Sequence, residues 1–186
     1  MTKRQHVTQK QVVTAHMKGL LQHQIAELLD TSVSTVKRRL FGLNLPSNHL
    51  PNQIGKDGER LVAEILIAQG LSVEITPTGH PFDLWVAGLR VEVKTTGAWL
   101  DDDSFKFWIP DVRPSFRGVY FYPKDYQRET DFIVLAFLQE GELLHTYVIP
   151  SQLWKPNIRI HPASPFEPLR EYRDAWALLK ARSVAV

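Results

Sequence analysis

The sequence predicts an α/β protein in two parts, a small all-α unit followed by a mixed sheet flanked by helices. Three observations predict it. The first 45 residues hold three short stretches of helical periodicity, the stretch LPSNHLPN interrupts regular structure, and the remainder mixes strand alternation with helical patterns. A length of 186 residues suits one principal core plus a small module.

Taken in order, Thr8 to Leu20 sets Val12, Val13, Ala15 and Met17 near one another on helical geometry, and Gly19 marks its stop. Gln22 to Leu29 reads as a second helix and Ser32 to Phe41 as a third. Asp30-Thr31 forms the turn between them, Ser32 is the N-cap, and Gly42 is the stop. Ile25, Leu28 and Leu29 are expected to pack against Val36 and Leu40. These helices define a domain over residues 1–45. Residues 46–53, with two prolines and two asparagines in LPSNHLPN, read as a linker to a second domain over 54–186.

The second domain opens with GKDGERLVAEILIAQG, a helix of about four turns ending at Gly70, followed by LSVEI as a short strand. FDLWVAG and LRVEVKT are two alternating strands joined at Ala87-Gly88. FKFWI alternates again after the acidic loop Asp101 to Asp103. TDFIVLAFL and ELLHTYVIP flank Gln139-Glu140-Gly141 as a buried hairpin, and a final helix is expected from about Leu169 to Ala181.

Composition narrows the function. Hydrophobic residues make up 44% and charged residues 23%, as in globular proteins, and the apolar run Phe132 to Leu138 is too short to span a bilayer. The polar start MTKRQHVTQK lacks a secretory pattern, so a cytoplasmic protein without membrane partners is expected. The absence of cysteine excludes disulfides and thiolate zinc sites, so any metal is held by oxygen or imidazole, which favours a hard cation. Charge divides unevenly. Residues 1–45 hold seven lysines and arginines against two acids, +5, which leaves −3 on the rest of a chain whose total is +2.

The most informative stretch is PFDLWVAGLRVEVKT. If Ala87-Gly88 is a two-residue turn, Val86 faces Leu89, Trp85 faces Arg90, Leu84 faces Val91 and Asp83 faces Glu92. Phe82, Leu84, Val86, Leu89, Val91 and Val93 then share an apolar core face, and Asp83, Trp85, Arg90, Glu92 and Lys94 share the face that carries chemistry. Two adjacent carboxylates repel unless a cation lies between them, and Mg²⁺ prefers such oxygens while keeping waters for a substrate phosphate. Lys94, two residues from Glu92 on that face, can orient the attacking hydroxide and offset charge on the pentavalent phosphate. Glu59 supplies a further carboxylate from the margin of the helical stripe Leu61, Val62, Ile65 and Leu66. Glu64 lies on the polar side beside Arg60 as a solvated surface group.

These residues resemble the PD-(D/E)XK nuclease superfamily, with Pro81-Phe82-Asp83 and Glu92-Val93-Lys94 following a helix that bears Glu59. Within it, residues 54–95 resemble the opening of archaeal-type Holliday junction resolvases, over about a quarter of the chain. Phe82, set between the proline and Asp83, departs from the motif. The resemblance implies a restriction-endonuclease-like core that hydrolyses DNA phosphodiester bonds and leaves 5′-phosphate ends. It also implies Glu59, Asp83 and Glu92 as ligands to Mg²⁺, with Mn²⁺ as a substitute, and Lys94 as the catalytic lysine. Cutting both strands needs two sites or two events, so a homodimer or tetramer is expected. Without such chemistry, Asp83, Glu92 and Lys94 are exposed strand residues joined by cross-strand salt bridges.

In the first domain, QHQIAELL and SVSTVKRRL resemble the helix-turn-helix of resolvase-invertase and regulator families, over about a fifth of the chain. The resemblance implies double-stranded DNA as partner. Val33, Ser34, Lys37 and Arg38 project away from Val36 and Leu40 toward the major groove, and Arg39 and Lys10 reach phosphates. Site-directed cutting of the homing, restriction or mobile-element type is favoured over junction resolution. The alternative of another class is a helix-turn-helix transcriptional regulator whose inactive nuclease-fold domain serves for dimerisation. Other features carry less weight. His80 is an incidental loop histidine, Asp101 to Asp103 a solvated loop, Lys106 and Trp108 face the site or the DNA, and the five tryptophans with VYFYP cover core and sheet.

Overall fold

The computed structural model describes residues 7–43, 45, 50–114 and 120–180, which divide into two compact units, Met1–Gln53 and Ile54–Val186. In the first unit, α1 (Gln9–Met17), α2 (Gln22–Leu28) and α3 (Val33–Phe41) match the three expected helices. Their ends are set by capping. The Thr8 hydroxyl accepts the Gln11 amide at 3.3 Å while the Gln11 side chain accepts the Thr8 amide at 2.9 Å, and Ser32 accepts the Thr35 amide at 3.1 Å.

Val7, Val12, Ala15, Ile25, Ala26, Val36 and Leu40 form the core of this unit, with Leu29 partly buried against it. Two expected core residues are not there: Met17 and Leu28 are exposed. At about 100° per residue, the buried arc of α2 runs from Ile25 through Leu29 to Ala26, and Leu28 falls outside it. His16 takes the buried place on α1 that was assigned to Met17.

The helix α4 (Leu50–Ala68), most of which belongs to the second unit, leads to a five-stranded sheet. The strands of the unit begin with β1 (Val73–Ile75), β2 (Leu84–Val86) and β3 (Leu89–Thr96) of that sheet and, in a separate sheet, β4 (Phe105–Trp108). Then follow β5 (Val112–Pro114), β6 (Phe121–Pro123), the single turn α5 (Tyr126–Glu129), β7 (Phe132–Gln139), β8 (Glu142–Pro150) and β9 (Asn157–Ile160). The second unit begins at Ile54, where the expected second domain does; residues 50–53 of the expected linker are already helical in α4, and 46–49 lie outside the described residues.

The main sheet runs β1-β2-β3-β7-β8, with β3 and β7 parallel and the other pairs antiparallel. This is the mixed α/β sheet flanked by helices that the sequence predicts. Side-chain alternation sends the strands to two cores. Val91, Val93, Val134, Ala136 and Val148 meet Val62, Ala63 and Leu66 of α4 on one face. Ile133, Leu135, Phe137, Tyr147 and Ile149 meet Phe105, Phe107, Ile109, Ile158 and Ile160 on the other, where β4 and β9 form a small antiparallel layer. Neither face of the central strands is open, so the expectation of one core face and one chemical face is replaced by a site at the edge of a buried layer.

The expected terminal helix is instead two short 3₁₀ turns, Arg170–Tyr172 and Trp176–Leu179; Ala181, its expected end, lies outside the described residues. Asp174 between them takes a positive φ of 49°, its amide donates to Thr146 at 3.0 Å, and its carboxylate accepts the Thr146 hydroxyl. Pinning to β8 overrides helical periodicity. The expected aromatic cover also fails in part, because Trp85, Trp99, Trp108, Tyr120, Phe121 and Tyr122 are exposed. The last two sit on β6, which among the described residues pairs with β5 in a two-stranded ribbon separate from the main sheet. Among the described residues no helix is long and apolar enough to cross a membrane.

Candidate active site

The hairpin that holds the site has the expected turn. Ala87 and Gly88 both adopt positive φ, 48° and 82°, as a two-residue hairpin loop of the twist-matching kind requires. The expected register follows: Val86 pairs with Leu89, Trp85 with Arg90 and Leu84 with Val91. It stops before Asp83. The Asp83 amide donates to the carbonyl of Val91 at 3.1 Å, although Val91 is the partner of Leu84. Two successive residues thus oppose one, which is a β-bulge and re-aims the bulged side chain.

The bulge corrects two expectations. Phe82 does not join Leu84 on the face toward α4; its ring meets those of Trp85 at 4.7 Å and His80 at 4.3 Å, both edge-on. Asp83 does not sit in ladder register with Glu92 but turns its carboxylate onto the chain beyond it, accepting the Val93 amide at 2.8 Å. Glu92 and Lys94 alternate with Val91 and Val93, so they point to the face opposite α4.

Glu92 is the buried centre of the cluster, 1% exposed. Its Oε1 accepts Lys94 Nζ and, at 2.6 Å, Lys124 Nζ. Its Oε2 is buried without a hydrogen-bond partner. Lys124 follows β6, and its ammonium lies 4.6 Å from the centre of the Tyr126 ring. Glu59 reaches the cluster from α4 because the helix approaches β3 closely at Gly58. A Cβ there would overlap Thr95 Oγ1 and lie 2.9 Å from Thr95 Cβ and Cγ2.

Burial and like charge raise the acids. The Glu59 carboxyl is pushed up from 4.5 to about 7, first by desolvation and then by the negative charges of Asp83 and Glu92. Asp83 is pushed from 3.8 to about 6 by desolvation and Glu92, against the pull of Lys94 and the Val93 amide. Burial opposes the Lys94 charge, but Glu92, Tyr126 and Asp83 outweigh it and hold the ammonium above its usual range. At Lys124 burial prevails, with repulsion from Lys94, and lowers it despite Glu92. Burial pushes Tyr126 up to about 12.

Glu59, Asp83, Glu92 and Lys94 are therefore neighbours that sense one another's charge. They do not form a closed cage, since no three acid or imidazole groups among the described residues converge enough to enclose an ion. A hard cation that takes one or two carboxylates and completes its shell with water and phosphate fits this arrangement, and the unpartnered Glu92 Oε2 is the oxygen such an ion would satisfy.

Glu64 is excluded, its exposed carboxylate accepting Arg60 at 2.6 Å as expected. Arg90, assigned to the same face as Glu92, is held by Asp131 through three hydrogen bonds of 2.8 to 3.1 Å and by the Arg128 carbonyl. Asp102 pairs with Arg159 at 2.9 Å in an exposed loop. Lys106 and Trp108 alternate outward from Phe105 and Phe107 on β4. In the first unit Val33, Ser34, Lys37 and Arg38 are exposed on α3, Arg39 is half-buried, and Lys10 is exposed on α1.

Neither a family model nor a curated protein matches the sequence. Among solved structures, that of a bacterial homing endonuclease, I-Ssp6803I, matches over 70% of this chain and 93% of its own with a TM-score of 0.52 and 19% identity. The two share a fold. That likeness agrees with the mixed α/β fold expected from the sequence.

Lys124 and Tyr126 escaped the sequence reading. Lys124 stands 32 residues from Glu92 between Pro123 and Asp125, in a stretch with no periodicity. Tertiary packing that brings the chain just after β6 to β3 makes it a neighbour of Glu92. Gly58, within the helical pattern, was the one signal of a close helix–strand approach.

Proposed function

We propose that this chain is a divalent-cation-dependent DNA endonuclease, brought to double-stranded DNA by its three N-terminal helices acting as a helix-turn-helix. The observation that carries this reading is the buried Glu92 carboxylate, tied through Oε1 to two lysines, unpartnered at Oε2, and grouped with Asp83 and Glu59. One or two carboxylates of the group Glu59, Asp83 and Glu92, with Glu92 Oε2 among their oxygens, would hold Mg²⁺, or Mn²⁺ in its place, and water and phosphate would complete its shell. When bound, the ion would polarise the scissile phosphate and make water more acidic.

The chain's own groups supply the rest. Asp83, fixed by the Val93 amide, and Glu92, fixed by two ammoniums, are oriented before substrate arrives, which removes an ordering cost from the reaction. Lys94 keeps its proton and so presents a permanent cation where negative charge gathers on the attacked phosphate. The attacking water is oriented by the same ammonium, and in-line displacement leaves a 5′-phosphate end.

Val33, Ser34, Lys37 and Arg38 form the exposed face of α3 that would read base edges, with Lys10 and Arg39 on phosphates. The fold shared with a homing endonuclease favours site-directed cutting. Cutting both strands needs two sites or two events, which a homodimer or tetramer would supply. The test is incubation of purified protein with supercoiled DNA in Mg²⁺ or in EDTA, beside Asp83→Ala and Lys94→Ala. Nicking or linearisation that needs Mg²⁺ and disappears in both variants is expected. Cutting in EDTA or by the variants would overturn the assignment, and sequence-specific binding without any cutting would favour a regulator.

A further inference from the structure

The site contains a second lysine with no place in the sequence motif, and its geometry differs from that of an ordinary ion pair. Arg90 and Asp131 show what a structural pair looks like here: both carboxylate oxygens of Asp131 are engaged, and the Arg90 Nη1 finds a carbonyl at 2.6 Å. Glu92 is arranged otherwise. Lys94 and Lys124 both converge on Oε1, while Oε2, equally buried, receives neither. Bringing two ammoniums to one oxygen costs mutual repulsion that sharing them between the two oxygens would lessen.

We infer that Lys124 is a positioning residue that anchors Glu92 through Oε1 so that Oε2 is presented to the divalent cation. The inference rests on the cation-dependent reading above. Lys124 acts on the cation through the carboxylate and has no contact with the scissile bond. Its place favours such a role. The side chain is only 9% exposed, the Tyr126 ring lies against the ammonium, and Pro123 fixes the backbone just before it. The charges are balanced to suit. Glu59, Asp83 and Glu92 against Lys94 and Lys124 leave a net of −1 when all are ionised, and a divalent ion would turn this to +1, ready for a phosphate. Partners that orient a ligating carboxylate are worth about 10- to 100-fold in metal affinity or activity.

The test is direct titration of the full chain with Mn²⁺ in the absence of DNA, by calorimetry or by the relaxation of solvent water. Wild type, Lys124→Met and Lys124→Arg are compared, with DNA binding in EDTA measured alongside. Lys124→Met is expected to weaken Mn²⁺ by about tenfold or more without changing DNA affinity in EDTA, and Lys124→Arg to stay within about threefold of wild type. Where Lys124→Met does not fold, Lys124→Gln keeps a donor but drops the charge, and weakening is expected there as well. Unchanged Mn²⁺ affinity in a folded Lys124→Met or Lys124→Gln protein, with tight binding by wild type, overturns this inference and leaves the nuclease reading standing. No Mn²⁺ binding by wild type removes both.

Discussion

Substitution of Gly58 by alanine tests how α4 delivers Glu59 to the site. In an exposed helix this change gains about 1 kcal/mol from helix propensity. Here the added methyl would overlap Thr95 Oγ1 and stand 2.9 Å from Thr95 Cβ and Cγ2, whereas ordinary contact begins at 3.4 Å. Rotating the threonine moves Oγ1 and Cγ2 but not Cβ, so the gap between α4 and β3 must open by about half an ångström. Overpacking of this kind costs about 1–3 kcal/mol, and the net expected loss is about 0–2 kcal/mol, or up to roughly 8 °C in Tm. All five tryptophans lie in the unit Ile54–Val186, so their fluorescence during urea unfolding reports on that unit alone. Gly58→Ala combined with Thr95→Ala should recover at least about 0.5 kcal/mol relative to the sum of the single changes. A Gly58→Ala protein as stable as wild type or more so, with no coupling to Thr95, would refute the close approach.

Four other outcomes follow from the same geometry. Because Glu59 and Asp83 have folded-state values above their unfolded ones, the native state holds the extra protons, and stability of the cation-free protein should fall as pH rises from about 4.5 to about 7. The move of Glu59 to about 7 corresponds to on the order of 3 kcal/mol; thermal melts from pH 4.5 to 8 should therefore decline less in Glu59→Gln, and parallel curves would contradict the assignment. Glu64→Ala, which removes an exposed pair with Arg60, should cost no more than about 0.5 kcal/mol and leave DNA cutting intact, whereas Glu59→Ala should abolish cutting; equal effects in a cleavage assay would mean the wrong helix carboxylate has been chosen. Ala87→Gly relieves a positive φ of 48° in the hairpin turn and should stabilise by about 0.5–1 kcal/mol, with a lower urea midpoint as the contrary result. Arg38→Ala should weaken specific DNA binding and relax sequence preference, and a mobility-shift titration indistinguishable from wild type would remove α3 from the DNA interface.

Much of the fold was legible because it depends on local period and turn chemistry. The three N-terminal helices, the Ser32 cap, the hairpin turn at Ala87-Gly88 and the pairing of Leu84 with Val91 all follow from residues close in sequence. The terminal segment shows the limit of that reasoning: its apolar spacing is helical, yet contacts of Asp174 with Thr146 hold it in two separate turns. The same limit applies to Met17 and Leu28, whose exposure depends on which arc of each helix the other two cover. The ribbon of β5 and β6 was not foreseen, since three-residue strands are too short for periodicity to register.

By itself the sequence offered Glu59, Asp83, Glu92 and Lys94 as candidates for one site, and it determined the strand alternation that puts Glu92 and Lys94 on one face and the turn that sets the pairing of Leu84 with Val91. Tertiary structure alone decided their poise. A bulge at Asp83 moved its carboxylate out of the ladder, the close approach at Gly58 set the position of Glu59, and burial against a second layer left Glu92 in need of two ammoniums. The physical reason is that register is a short-range property of the chain. Desolvation, and the choice of Lys124 as a partner 32 residues away, depend on how distant segments pack.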